Sequence, residues 1–204
     1  MPPRTDIALF LDLETTGNLD DDEIIEVGCS LIETANWTER SSFSAVVVPS
    51  VAAWDRMVGN PVVFAMHTKN GLISDLIGPY DGPPEATIAT IDAHLDLWLD
   101  THAGTDGQHI PLGGSGVSHF DRKYMKRDLP LLNRRLTFWA WDAGDLRRAF
   151  RLAGRPWLVG NASKSHRALD DARFHAAEWH YGVEAIRTGF DPEVMAAFET
   201  TVDF

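Results

Sequence analysis

The sequence predicts an α/β domain built on a mixed β-sheet with helices on its faces, and three observations carry that prediction. The first is a trio of apolar runs rich in Ile, Val, Leu and Phe, at residues 6–13, 23–32 and 42–49, the first two parted by the polar turn Gly17-Asn18-Leu19-Asp20-Asp21-Asp22. Three strands in close succession make an antiparallel opening half. The second is a pair of later runs, His109 to Gly114 and Leu136 to Trp141, each leading into a helix-compatible stretch, and such strand-to-helix units imply parallel pairing. The third is a final third of the chain that is mostly helical in pattern.

Between the two groups of strands lies a helical middle. From Pro84 to about His102, the side chains of Ile88, Ile91, Leu95, Trp98 and Leu99 fall close to helical spacing on one face, and Gly104-Thr105-Asp106-Gly107 ends the run. The longest late helices are expected over Asp171 to Arg187 and Pro192 to Thr201, interrupted by Gly189-Phe190-Asp191-Pro192. No repeat or low-complexity linker divides the chain, so residues 1–204 are expected to form one domain.

Composition narrows the class further. A chain of 204 residues with 44% hydrophobic content and seven Trp has enough apolar material for a sizeable core. No stretch approaches the ~18 apolar residues of a membrane span, and Met1 to Asp6 is not followed by a signal-type segment, so a cytoplasmic protein with no membrane partner is expected. The single cysteine, Cys29, sits in strand context and reads as a buried small hydrophobe. Eighteen basic against 30 acidic side chains give a net charge of −12, which argues against a broad basic surface that coats long nucleic acid. That charge is compatible with an enzyme gripping only the last few nucleotides through metals and a local patch.

The chemistry-bearing residues fall in three separated segments. Asp12-Leu13-Glu14-Thr15-Thr16-Gly17 closes the first strand, and the period of two turns Asp12 and Glu14 to the same side, with Cβ atoms roughly 7 Å apart. Two close carboxylates beside an apolar strand call for a cation, and hard ions such as Mg²⁺ or Mn²⁺ take oxygen ligands. Gly116-Val117-Ser118-His119-Phe120-Asp121-Arg122 puts Asp121 at a helix start, where an acid is electrostatically favoured. Ser165-His166-Arg167-Ala168-Leu169-Asp170-Asp171 places His166 five residues before Asp171 at the head of a long helical pattern. Spacing does not choose between Asp170 and Asp171, and His119 competes with His166. His175 and His180, about 140° apart around a helix, do not make a zinc pair.

In this order and context the three segments resemble the three motifs of the DnaQ-like DEDDh 3′-to-5′ exonucleases, and the resemblance covers nearly the whole chain. It implies a ribonuclease H-like sheet and the catalytic set Asp12, Glu14, Asp121, His166 and Asp171. The four acids would hold two divalent cations, Mg²⁺ or Mn²⁺, and His166 would act as general base, a task suited to an imidazole at neutral pH. The segment Met66-His67-Thr68-Lys69-Asn70-Gly71-Leu72 is similar to the His-Thr-Ala-Ser-Gly-Leu stretch of oligoribonucleases. Other positions depart from that subfamily: Thr15 stands where it has Met, and Phe120 where it has Gln.

The expected activity is therefore release of nucleoside monophosphates from 3′ ends of single-stranded RNA or DNA, with short RNA slightly favoured. The alternatives are a proofreading-type DNA exonuclease associated with a polymerase, and an inactive nuclease-like module that binds nucleic-acid ends or a protein. The apolar segment Phe138-Trp139-Ala140-Trp141 suits base stacking, core packing or a homodimer interface, with at least two of its aromatics expected in the core. Six residues are candidate substrate contacts. Thr15 and Thr16 bring hydroxyls near the terminal nucleotide or else form the turn before Gly17. Leu19 and His67 match wedge or stacking positions, and Lys164 and Arg167 would steer a phosphate.

Overall fold

The first apolar run forms strand β1 (Ile7–Thr15), buried along nearly its whole length because both of its faces are covered. The computed structural model describes residues 4–78, 87–104, 109–155, 157, 159, 165–191 and 193–194. β1 pairs antiparallel with β2 (Ile24–Glu33), which pairs antiparallel with β3 (Thr38–Val46). On its other side β1 pairs parallel with β4 (Ile110–Gly114), and β4 with β5 (Leu136–Asp142), giving the order β3-β2-β1-β4-β5. This is the mixed sheet expected from the sequence, with the strand bearing Asp12 and Glu14 at its centre.

Eight helices of the described residues accompany the sheet: α1 (Val51–Gly59), α2 (Pro61–Lys69), α3 (Leu72–Ile77), α4 (Ile88–Ala103), α5 (Phe120–Asp128), α6 (Pro130–Arg135), α7 (Ala143–Leu152) and α8 (Ala168–Thr188). Alternation along β1 divides them. Ile7, Leu9, Leu11 and Leu13 join a core with Ile91, Leu95 and Leu99 of α4, Tyr124 and Met125 of α5 and Leu132 of α6. Ala8 and Phe10 point the other way and pack with Ala172 and Ala176 of α8. The even-numbered row continues as Asp12 and Glu14, so the acids share the face that α8 covers.

That close packing depends on small residues. A Cβ built on Gly28 would lie 2.1 Å from both the carbonyl carbon of Ala168 and the amide nitrogen of Leu169, so the first turn of α8 rests directly on the β2 backbone. Gly28 is the register partner of Asp12. Absence of a side chain at one β2 position thus lets the head of α8 reach the acidic end of β1.

The third strand departs from expectation: it spans Thr38–Val46 rather than 42–49. Thr38, Glu39 and Arg40 are polar and exposed, so apolar patterning passes over them, but antiparallel pairing with Ile32 and Glu33 extends the ladder to the hairpin. The helix expected from Pro84 begins among described residues at Ile88 and buries Ile91, Leu95 and Leu99 as the spacing predicts. Most of the helix expected over Pro192–Thr201 lies outside the described residues. Cys29 is fully buried, which pushes its thiol pKa up and leaves it an inert core group. No helix among the described residues is long and apolar enough to cross a membrane.

Trp37, Trp141 and Trp179 line the α8 side of the sheet, and His180 stacks on Trp37 with centroids 5.3 Å apart and planes 9° from parallel. Phe138 and Trp139 of the edge strand β5 face outward instead, 92% and 47% exposed, so Trp141 is packed inside where at least two aromatics of that run were expected to be. Burial holds the His180 pKa below its ordinary 6.5. The unfolded chain therefore takes up this proton at a higher pH than the folded chain, so stability is full above about pH 6.5 and declines as the pH falls below it. His180→Phe retains the stack without the titration. Its unfolding midpoint should fall less than the wild-type midpoint between about pH 7.5 and 5.5, and an equal fall would refute the assignment.

Candidate metal and catalytic site

Glu14 enters the site from the C-terminal end of β1, beside a bulge in its ladder with β2 between Glu14 and Thr15. Asp171 enters from the first turn of α8, and His166 from the loop just before that helix. One ligand atom from each of Glu14, His166 and Asp171 lies within 4.8 Å of the others, and both carboxylates are buried, 7% and 3% exposed. The helix start offers a positive dipole end to Asp171, yet two buried carboxylates this close still repel. The two carboxylates supply the oxygen donors that hard divalent ions such as Mn²⁺ or Mg²⁺ take, and that donor chemistry fits the expected cofactor.

Asp121 lies in the first turn of α5, where the sequence puts it. Its Oδ1 accepts a hydrogen bond of 3.1 Å from the Leu13 amide, the backbone group between Asp12 and Glu14. The register of β4 with β1 runs over Leu9 and Phe10, short of this amide, which Asp121 of α5 takes instead. Asp12 and Asp121 lie outside the group of three, Asp12 on the same face of β1 as Glu14 and Asp121 bonded beside them. Structure also separates the paired candidates: Asp171, not Asp170, joins the group, and His166 joins it while His119 is exposed at the head of α5. His175 instead meets Glu178 at 2.8 Å, and Arg147 holds the same carboxylate at 2.5 and 2.6 Å, a buried structural cluster.

The candidate substrate contacts fare unevenly. Leu19 is 63% exposed at the tip of the 17–22 loop, as a wedge requires. That loop is tightly held: the Tyr124 hydroxyl donates to the Gly17 and Leu19 carbonyls at 3.1 and 3.0 Å, and buried Asp22 accepts from the Leu19 amide at 2.8 Å. Thr16 donates to Asp22 at 3.1 Å and Thr15 to the Gly17 carbonyl at 2.6 Å, so both hydroxyls shape the turn. Lys164 lies outside the described residues.

Two expectations change. His67 is fully buried, with no ring face open to a base, because α2 lays it against the end of β1. Its Nε2 lies 3.1 Å from the Thr15 carbonyl and its Nδ1 3.9 Å from Glu14. Burial holds the His67 pKa below its ordinary value, so the ring is neutral, Nε2–H donates to Thr15, and the Glu14 contact is not an ion pair. Arg167 is likewise committed inside the fold rather than poised for phosphate: its guanidinium meets Glu26 at 2.9 and 3.0 Å and Asp75 at 2.8 Å. Glu26 also accepts from the Ala168 amide at 3.0 Å, capping α8. Glu26 was not singled out by sequence because an acid inside an apolar strand gives no local cue to its distant partner.

No protein-family model matches the chain, and no curated protein matches it. Solved structures do. The nuclease domain of 3′hExo, a DEDDh family member, bound to rAMP, superposes with a TM-score of 0.57 at 17% identity, covering 93% of this chain and 96% of that one. Cell-death related nuclease 4 (CRN-4) gives 0.51 at 16% identity, over 90% of this chain and 64% of that one. E. coli Exonuclease I in complex with a 5cy-dA13 oligonucleotide gives 0.56 at 13%, over 95% of this chain but 42% of the longer enzyme. At these identities the likeness is one of fold, and the fold is the ribonuclease H-like mixed sheet shared with DEDDh exonucleases.

Proposed function

We propose that this chain is a divalent-metal-dependent 3′-to-5′ exonuclease of the DEDDh type, releasing nucleoside monophosphates from single-stranded ends. The observation that carries the reading is the convergence of Glu14, His166 and Asp171 within 4.8 Å, from two segments that are far apart in sequence. Asp121, bonded to the backbone between Asp12 and Glu14, adds a further acid beside them. Support also comes from the neighbours in fold, two of which carry rAMP or a DNA oligonucleotide.

In this reading Asp12, Glu14, Asp121 and Asp171 hold two Mg²⁺ or Mn²⁺ ions. Such ions, when bound, neutralise charge on the phosphate and make water a stronger nucleophile at neutral pH. His166 accepts the proton of the attacking water, a task suited to an imidazole at neutral pH. Leu19 wedges against the terminal base from a loop whose hydrogen bonds fix it in advance. Short RNA is slightly favoured on the resemblance of residues 66–72 and the overall spacing, and the charge of −12 keeps the footprint to a few nucleotides.

Matched 5′-labelled RNA and DNA strands, from dinucleotides to about 20 nucleotides, incubated with Mn²⁺, Mg²⁺ or chelator, test the proposal. The expected result is a metal-dependent ladder shortening from the 3′ end, faster on RNA, and absent with Asp12→Ala. Undiminished cleavage by Asp12→Ala would refute the site. No cleavage by wild type under either metal would leave an end-binding module as the better reading.

A further inference from the structure

His166 has a backbone φ of +52°, in the left-handed region that a residue with a Cβ keeps only when its surroundings hold it there. The direction of its ring toward Glu14 and Asp171 follows from that backbone, so whatever holds the loop aims the imidazole. On the C-terminal side Arg167 is gripped by Glu26 and Asp75, and its amide donates to Ser165 Oγ at 3.1 Å. The His166 carbonyl itself is held by a residue nearly a hundred positions earlier: Asn70 donates to it through Nδ2.

Asn70 is well placed for this. It ends α2 and precedes Gly71, whose φ of +84° opens α3, and its Oδ1 accepts from the Leu72 amide at 3.0 Å. Acceptor and donor are both occupied, so the side-chain amide has a single orientation. The α2–α3 corner thereby touches the candidate site at three points: His67 on the Thr15 carbonyl, Asn70 on the His166 carbonyl, and Asp75 on Arg167.

We infer that Asn70 is the positioning residue for His166, its side-chain amide fixing the left-handed loop that aims the imidazole at the Glu14–Asp171 pair. The inference rests on the exonuclease reading for its kinetic consequence but not for its structural one. Asn70 touches neither acid of the pair; it acts through the His166 main chain. Removing the donor lets the loop relax, and misplacement of a catalytic group on the ångström scale lowers the rate by on the order of 10- to 100-fold.

Asn70→Asp isolates the contact, because the carboxylate keeps the size and the acceptor for the Leu72 amide while losing the N–H donor. Asn70→Ala removes both. The expected result is kcat lowered by roughly 10- to 100-fold in each variant, with KM for a 5′-labelled oligonucleotide within about twofold of wild type. Independently of activity, the backbone ¹³C′ resonance of His166 in the metal-free, substrate-free full-length protein should move in Asn70→Asp relative to wild type. An unmoved His166 resonance would overturn the inference whether or not the protein cleaves, as would kcat within twofold of an active wild type. An inactive wild type whose His166 resonance does move in the variant would count against the exonuclease reading and for the positioning contact.

Discussion

Asp171→Asn is expected to lower nucleotide release by on the order of 10³-fold while changing stability by less than about 1 kcal/mol. Asp171 is 3% exposed, and its ligand oxygen lies within 4.8 Å of ligand atoms from Glu14 and His166. Two buried carboxylates at that separation repel, so neutralising one relieves a cost that the metal-free fold carries, and the isosteric amide keeps the packing at the head of α8. What the variant loses is the charge that binds a cation. Ligand binding at ~100 times Kd stabilises a protein by about 2.7 kcal/mol, which for a chain of this size raises the unfolding midpoint by about 5–10 °C. Wild type should show that rise on addition of Mn²⁺ and Asp171→Asn should lack it. A variant that keeps both the rise and the cleavage would show that Asp171 does not hold the metal.

Gly28→Ala is the second change with a large expected effect, on stability and on the site together. Its Cβ would meet the Ala168 and Leu169 backbone at 2.1 Å, and backbone on both sides leaves no flexible side chain to yield. The first turn of α8 must lift from the sheet, at a cost of roughly 3 kcal/mol, or a fall of about 6–12 °C in the unfolding midpoint. Because that turn carries Asp171, the Mn²⁺-induced rise should shrink as well. Gly182→Ala is the matched control: its Cβ would meet Leu146 of α7 at 2.5 Å, further along α8, so it should lower stability yet leave the metal response intact. Equal loss of metal response in both variants would mean that general destabilisation, not the seat of α8 on Gly28, governs the site.

The acids were legible because strand periodicity is a local property. Ala8, Phe10, Asp12 and Glu14 share one face of β1 whatever lies over them, and an apolar run that turns acidic at its end can be seen without a structure. Asp121 was legible for a related reason, since helix starts are marked locally, whereas His166 and Asp171 were told from His119 and Asp170 only by the family resemblance. His67 and Arg167 were not legible. Both read as exposed polar groups near a site, yet α2 presses one against Thr15 and Glu26 captures the other, and each partner lies at least 52 residues away in sequence. The start of β3 was missed because its first three residues are polar and joined to the sheet only by the ladder with β2.

By itself, then, the sequence determined the mixed α/β sheet, the face of β1 that bears Asp12 and Glu14, and the helix starts that bear Asp121 and Asp171. Periodicity and capping act over a few residues, so a short window of sequence contains them. The tertiary structure alone decided which helix covers the acidic face, that Gly28 lets it come close, and that Asn70 and Glu26 hold the loop and helix around His166. Those are contacts between residues distant in the chain, and they exist only once burying both faces of β1 has forced the helices into place.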